Sequence, residues 1–306
     1  MTMRIGNAPV SYGVYGAAAG GDRASSLDLL TTIAGAGYQG TELGPPRFFG
    51  TPEETAARFA TNRLAAIGGY VPVHFALDDE VVAHDFAGLE HTCRELAACG
   101  SDGLVILADE GNPELLDNPA RPCDDRSLAL GAAAWRRLAR LTAQAIDIAA
   151  GYGLRTSFHP HISTYVESPW EVEWLLALTD VRLTLDIGHI ELAGGDPVRC
   201  LRAWWPRINH VHIKDVRKDV LAAAKAEHRS DFDEWWAEIA TPLGKGDIDI
   251  DAVLAALVAA RYDGWLVVEQ DRAPAVAAEY SVIAGEQAAN LRWLAEHLAK
   301  ATDGPA

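Results

Sequence analysis

The fold is decided by residues 154–215, LRTSFHPHISTYVESPWEVEWLLALTDVRLTLDIGHIELAGGDPVRCLRAWWPRINHVHIKD. Three short apolar or β-branched runs, Leu154–His159, Arg182–Ile187 and Asn209–Lys214, alternate with two helix-period stretches, Pro169–Leu178 and Pro197–Trp205. Runs of that length suit buried strands, and strands separated by helices point to a parallel sheet with crossover connections. Each run also ends in chemistry. The first closes on Ser157-Phe158-His159-Pro160-His161, the second on Leu185-Asp186-Ile187-Gly188-His189, and the third on His210-Val211-His212-Ile213-Lys214-Asp215.

Working outward, the same unit recurs. Strand candidates upstream are Arg4–Val10, Gly40–Leu43, Ile67–Phe75 and Gly103–Asp109, and one more, Gly264–Glu269, lies downstream, which makes eight. Helices are predicted at Ser26–Ala36, ending at Gly37; at Pro52–Ala66, opened by Thr51 with Glu54 as a capping box; at Phe86–Cys99; and at Ser127–Ala150, closed by Gly151. Ile250–Ala260 and Val282–Leu298 complete the set. Eight strands, eight helices and no Pro/Gly/Ser-rich linker predict one (β/α)8 barrel over residues 1–306 rather than an open doubly wound sheet. Two connections exceed what a helix needs, residues 110–126 and 216–249, and barrel enzymes build lids from such loops at the carboxyl ends of strands. Phe232–Ile239, with Trp235 and Trp236, is expected to form a short extra helix in the second. Trp204 and Trp205, like most of the nine tryptophans, are expected to pack on helix faces.

Composition narrows the function classes. The 306 residues carry 26 Lys+Arg against 43 Asp+Glu, a net charge of −17, and 49% are hydrophobic. Nucleic-acid binding draws on Lys and Arg, so this charge opposes it, and no run approaches the roughly 20 apolar residues of a membrane helix. Cys93, Cys99, Cys123 and Cys200 lack CxxC spacing, and the N-terminus lacks a secretory pattern, so free thiols in a cytoplasmic protein are expected.

A barrel gathers its strand ends at one mouth, and the last four offer His or carboxylate; the eighth contributes Val268-Glu269-Gln270-Asp271. Alternation puts His159 and His161 on one face, and His210, His212 and Lys214 on another. A mixed imidazole and carboxylate set suits one divalent ion such as Mn, Co, Zn or Fe better than Ca or Mg. The chosen ligands are His159, Asp186, His212 and Glu269, with His161, His189 and Glu167 close enough in sequence to be alternatives. Glu42, His74, Asp109 and Glu110 end the second to fourth strands and are candidates for the rest of the pocket. Asn7 and Ser11-Tyr12-Gly13 would line its rim. Lys214 is costly to bury without a task, and a buried pair with Asp215 or Asp186 is its structural alternative. Gly244-Lys245-Gly246-Asp247 could bring backbone and Lys245 to a ligand, or be a plain turn.

These motifs, with Ile5-Gly6-Asn7-Ala8-Pro9, Thr41-Glu42-Leu43-Gly44-Pro45, Thr164 and Val166-Glu167, together resemble the xylose-isomerase-like TIM-barrel superfamily, which includes sugar phosphate isomerases and epimerases and AP endonuclease family 2. The resemblance covers about residues 4 to 296 and is greatest to the inosose dehydratase branch. It implies a divalent metal at the mouth, commonly Mn or Co with Zn, Fe or Mg as alternatives, and chemistry on carbon acids beside a keto group. By position, Asp186, His212 and Glu269 match the family's ligands on the last three strands. His159 stands where many isomerases and epimerases have Glu, which counts against a two-carboxylate epimerase.

The activity implied is elimination of water from a polyhydroxy ketone through an enediolate, with 2-keto-myo-inositol as the branch's substrate. Glu42, His161, Glu167, His189 and Lys214 are the acid and base candidates. Ketose isomerisation or epimerisation, and a keto- or C-glycoside lyase subunit needing a partner chain, are the enzymatic alternatives. A superfamily nuclease would need more histidines on the first strands, and a non-catalytic sugar-binding barrel would bind without turnover. A small-molecule ketone or sugar is the expected partner, with room for a homo-oligomer.

Overall fold

The protein is described here as a computed structural model covering residues 3–15, 23–100, 103–117, 121, 123–229, 232–273 and 277–303. The barrel strands are β1 (Arg4–Asn7), β2 (Gly40–Leu43), β3 (Ala65–Val73), β4 (Leu104–Asp109), β5 (Arg155–Phe158), β6 (Leu183–Asp186), β7 (Ile208–Ile213) and β10 (Trp265–Val268). They close in the order β1-β10-β7-β6-β5-β4-β3-β2, with every neighbour parallel. A two-residue pair, β8 (Asp215–Val216) and β9 (Ala240–Thr241), forms a separate antiparallel ribbon above β7 that sequence patterning did not mark.

The outer layer comprises α1 (Arg23–Ala36), α2 (Pro52–Asn62), α3 (Asp79–Cys99), α5 (Ala132–Gly151), α6 (Pro169–Leu178), α8 (Pro197–Trp204), α11 (Ile250–Ala259) and α12 (Tyr280–Asp303). Short helices α4 (Pro113–Asp117), α7 (Ile187–Leu192), α9 (Lys218–Glu227) and α10 (Phe232–Ile239) sit at the mouth side of the connections. Thr51 and Glu54 do form the reciprocal capping box that opens α2. Pro52–Ala66 nevertheless overran: Arg63 turns left-handed at φ 55°, and Ala65 and Ala66 already belong to β3.

Other boundaries moved for equally local reasons. Helix α3 starts seven residues before Phe86 because Asp78 accepts from the Val81 N–H. Helix α5 begins at Ala132 rather than Ser127, and Gly151 is its last turn rather than its stop. Val10 leaves the first strand for a 3-10 turn, Pro9–Tyr12. The residues 118–120, 122 and 230–231 of the two long connections lie outside the described residues.

The main core lies between the barrel wall and the helices, where Leu29, Leu89, Val105, Phe158, Leu175, Val211 and Leu254 are all buried. A smaller cluster of Ala8, Ile67, Trp265 and Val267 fills the barrel interior. Below the mouth the inward faces of β5, β6 and β7 also carry polar side chains, with Thr184 donating to Ser157 and His210 to Glu42.

Candidate active site

At the mouth, Asp186 caps α7: its Oδ1 accepts from the backbone N–H of Gly188 (2.8 Å) and His189 (2.9 Å). That fixes the carboxylate and turns Oδ2 toward His212 Nδ1 at 3.5 Å, His159 Nε2 at 3.6 Å and Lys214 Nζ at 3.3 Å. Glu269, one residue past β10, meets His212 Nδ1 at 2.8 Å and Lys214 Nζ at 2.7 Å. Lys214 is fully buried and also reaches Asp271 Oδ2 (2.6 Å) and His189 Nε2 (3.0 Å). Its stem passes Gly188, where a Cβ would come within 2.7 Å of the lysine Cδ, so the glycine makes room for it.

The charges support one another. Burial opposes the ionised form of Asp186 and Glu269, but Lys214, aided by neighbouring imidazoles, outweighs it and holds both carboxyls well below their usual range. Burial likewise opposes charge on Lys214 and His212. The carboxylates Asp186, Asp271 and Glu269 outweigh it for the lysine, and Glu269 and Glu42 for the imidazole, keeping both cationic. Glu42, from β2, accepts from His210 Nε2 and His212 Nε2, each at 2.8 Å. Despite burial, those two imidazoles pull its pKa down to about 2.

Among the described residues, three overlapping groups bring ligand atoms within 4.8 Å of one another: Glu42, His210 and His212; His159, Asp186 and His212; and Asp186, His189 and Glu269. The four expected ligands therefore converge through Asp186, although they fall in two of these groups. His159 is buried with neither ring nitrogen hydrogen-bonded, and Asp186 Oδ2 lacks a hydrogen-bond partner too. Unpartnered buried imidazole nitrogens and carboxylate oxygens aimed at one point are the atoms a divalent ion requires. Lys214 and the His212 imidazolium cannot between them neutralise Asp186, Glu269, Asp271 and Glu42, so the charge balance also fits a dication.

Of the proton-moving candidates, His161, His189 and Lys214 join this mouth. His161 donates Nδ1–H to Ile162 O (2.8 Å), lies 3.9 Å from the His189 ring between centroids, and burial lowers its pKa to about 3. Burial, with His161 and Lys214, also keeps His189 neutral. Glu167 does not join them. It is turned behind the loop, where Arg121 Nε donates to it (3.0 Å) and Ser163 N–H binds its other oxygen.

His74 pairs with Asp85 of α3 (3.1 Å). Asp215 is not paired with Lys214: its carboxylate collects the N–H groups of Gly244, Gly246 and Ile248. The Gly244–Asp247 segment is thus a turn closed on Asp215, whose Oδ1 leaves no room for a Cβ at Gly246, and Lys245 is exposed.

The mouth opens into a cavity of about 370 Å³, in the roughly 300–1,000 Å³ range of small-molecule sites. Its wall includes Glu42, His159, His161, His212, Glu269 and Asp271, and on the other side Tyr70, Asp109 and Glu110. Tyr70, Asp271 and Trp236 were not singled out from sequence as site residues. Trp236, from α10 in the second long connection, stacks on His189 at 5.1 Å and reaches the cavity, while Trp235 is core. The adjacency of two tryptophans in a long connection at a strand's carboxyl end was the available signal.

The xylose isomerase-like TIM barrel family model matches residues 30–300. Among curated relatives, the inosose dehydratase of Bacillus velezensis is 33% identical over 267 residues, covering 84% of this chain and 85% of its own. That of Geobacillus kaustophilus is 29% identical, covering 91% and 90%. Among solved structures, an L-ribulose 3-epimerase aligns with a TM-score of 0.72 at 17% identity over 98% of this chain and 96% of its own. The IolI protein with a bound zinc atom gives 0.71 at 16% identity, over 99% and 100%. At such identities the structural matches speak for the fold alone. A closed eight-strand parallel barrel, a polar mouth made from its strand ends, and a family match over most of the sequence agree: the chain belongs to the xylose isomerase-like TIM-barrel family.

Proposed function

We propose that this chain is a divalent-metal-dependent dehydratase of polyhydroxy ketones, with 2-keto-myo-inositol as its substrate and Mn or Co as its ion. The observation that carries the reading is the match to inosose dehydratases over most of both chains, joined to a buried mixed cluster of imidazoles and carboxylates at the mouth. His159, Asp186, His212 and Glu269 would hold the ion. The chemistry an ion supplies there when bound is Lewis-acid stabilisation of the negative charge that develops on the keto oxygen.

The remaining steps belong to side chains. Glu42, ionised and tied to His210 and His212, orients the His212 ring, and Glu167 supports the loop from behind. That leaves His161, His189 and Lys214 at the mouth for proton transfer. Lys214 is cationic and relays only by giving a proton to His189 Nε2 (3.0 Å) as it takes one from the cavity-lining carboxylate Asp271 (2.6 Å), and this chain is the relay we infer for the proton leaving the carbon beside the ketone. Glu110 and Leu116 of the first long connection and Trp236 of the second line the cavity and act as the parts of a lid that exclude water. The acidic chain acts on a small ketone rather than nucleic acid, in the cytoplasm, where its cysteines stay reduced. Among the described residues, no helix is long and apolar enough to cross a membrane.

Incubating the metal-loaded protein with 2-keto-myo-inositol in D2O and following it by NMR separates the readings. A dehydratase yields the trihydroxycyclohexane dione. An epimerase instead yields isomeric ketones with solvent deuterium at the epimerised carbon and no dione, which would overturn the proposal.

A further inference from the structure

We propose that Glu110, oriented by Tyr70, is the acid that protonates the departing hydroxyl, an assignment that rests on the dehydratase reading above. Glu110 follows β4 and Tyr70 lies in β3; both side chains line the cavity, and the Tyr70 hydroxyl donates to Glu110 Oε1 at 2.8 Å. In the closed strand order, β4 stands four places from β10 in either direction, and β3 stands four places from β7. The Tyr70–Glu110 pair therefore faces Glu269, Asp271 and Lys214 across the mouth, and a ring bound between them meets the carboxylates with the Lys214 relay on one side and Glu110 on the other.

The other mouth acids are unsuited to give a proton. Asp186 and Glu269 are held ionised by Lys214 and Glu42 by its two imidazoles, while Asp271, although burial raises its pKa, lies against the Lys214 ammonium across the mouth from Glu110. Burial raises Asp109 as well, to about 7, but the N–H groups of Gly111 and Tyr165 bind it to the loop backbone, whereas Glu110 is held by a cavity-lining side chain. Among the described residues no lysine or arginine pairs with Glu110, and burial, outweighing Tyr70, His74 and His159, raises its pKa, which favours the protonated form. With Tyr70 donating to Oε1, the acid proton sits on Oε2, free to face the cavity.

The step balances without a further reactant. The C–H bond beside the ketone breaks, its proton passes to the relay side and its electron pair forms the enediolate. That pair then makes the new C=C bond as the C–O bond to the neighbouring hydroxyl breaks, leaving an enol that tautomerises to the dione. Glu110 gives that oxygen its proton, and water leaves. The carboxylate left on Glu110 regains a proton from solvent, while the relay side releases one. Tyr70 acts through Glu110 and is a positioning residue.

The test is the metal-loaded protein with 2-keto-myo-inositol in D2O, scoring deuterium uptake into unreacted substrate separately from dione. In E110Q elimination should fall by roughly 100-fold or more, the usual worth of a general acid, while deuterium uptake continues. Y70F should show the same split in weaker form, and E110D should restore part of the elimination without changing uptake. Loss of both processes in E110Q with wild-type folding by circular dichroism, or elimination unchanged, overturns the assignment. A KM increase alone would make Glu110 a hydroxyl-binding group and overturn it as well. If E110Q does not fold, Y70F and E110D decide by the same split. A wild-type protein with neither uptake nor dione would remove the dehydratase reading and this assignment together.

Discussion

At Asp186, one carboxylate oxygen is committed to the backbone of α7 and the other faces His159, His212 and Lys214. The same motif supplies Gly188, whose missing side chain is what lets Lys214 reach Glu269 and Asp271. Gly188→Ala should therefore displace the lysine stem at a cost of about 1–3 kcal/mol, typical of overpacking. Dione formation should drop with it, checked by the NMR assay and urea denaturation together. An alanine variant with native stability and turnover would refute the packing argument. The His159, Asp186, His212 and Glu269 cluster was legible because strand alternation and strand-end position determine it. Tyr70 and Trp236 were not, because a mid-strand tyrosine and a lid tryptophan carry no motif; only the closing of the barrel decides that they face a cavity.

Among the elements, the loop that carries His161–Thr164 is held from behind by Arg121 of the first long connection. Its guanidinium is buried and donates to Glu167, Glu171 and the Thr164 carbonyl. Removing one partner of a buried ion pair leaves charge uncompensated, so Arg121→Ala should cost on the order of 3 kcal/mol of unfolding free energy by urea titration. A cost below 1 kcal/mol would show that the carboxylates do not depend on it. Glu95 of α3 is buried against Thr55 of α2, with His91 3.6 Å away, and burial raises its pKa to about 7. Its unfolded value is near 4.5. The folded state thus keeps a proton that the unfolded chain loses, and stability should fall as pH rises from about 4.5 to 7, by about 3 kcal/mol in all. Glu95→Gln should remove that slope, raising the melting temperature at pH 8 and changing little at pH 4.5; equal shifts at both would contradict it. Element boundaries were readable where the chain marks them. Helix α6 runs Pro169–Leu178 as expected because Ser168 and Glu171 cap it before a proline. Helix α2 was overrun because a left-handed Arg63, unlike a glycine, gives no warning in an Ala-rich stretch.

For the whole molecule, the repeated strand and helix pattern sufficed to specify a closed barrel, because parallel strands need crossovers and eight such units close. What the pattern could not give is which ends face each other, since that is a property of the closed order. The central claim is that this mouth performs metal-dependent dehydration, and it is tested most directly by stripping the purified protein with a chelator and assaying dione formation from 2-keto-myo-inositol with and without added Mn or Co. The account predicts loss of turnover on chelation, recovery with one ion per chain, and no recovery when Asp186 is changed to Asn. Undiminished turnover in the metal-free protein, or full recovery by the Asp186→Asn variant, would contradict it.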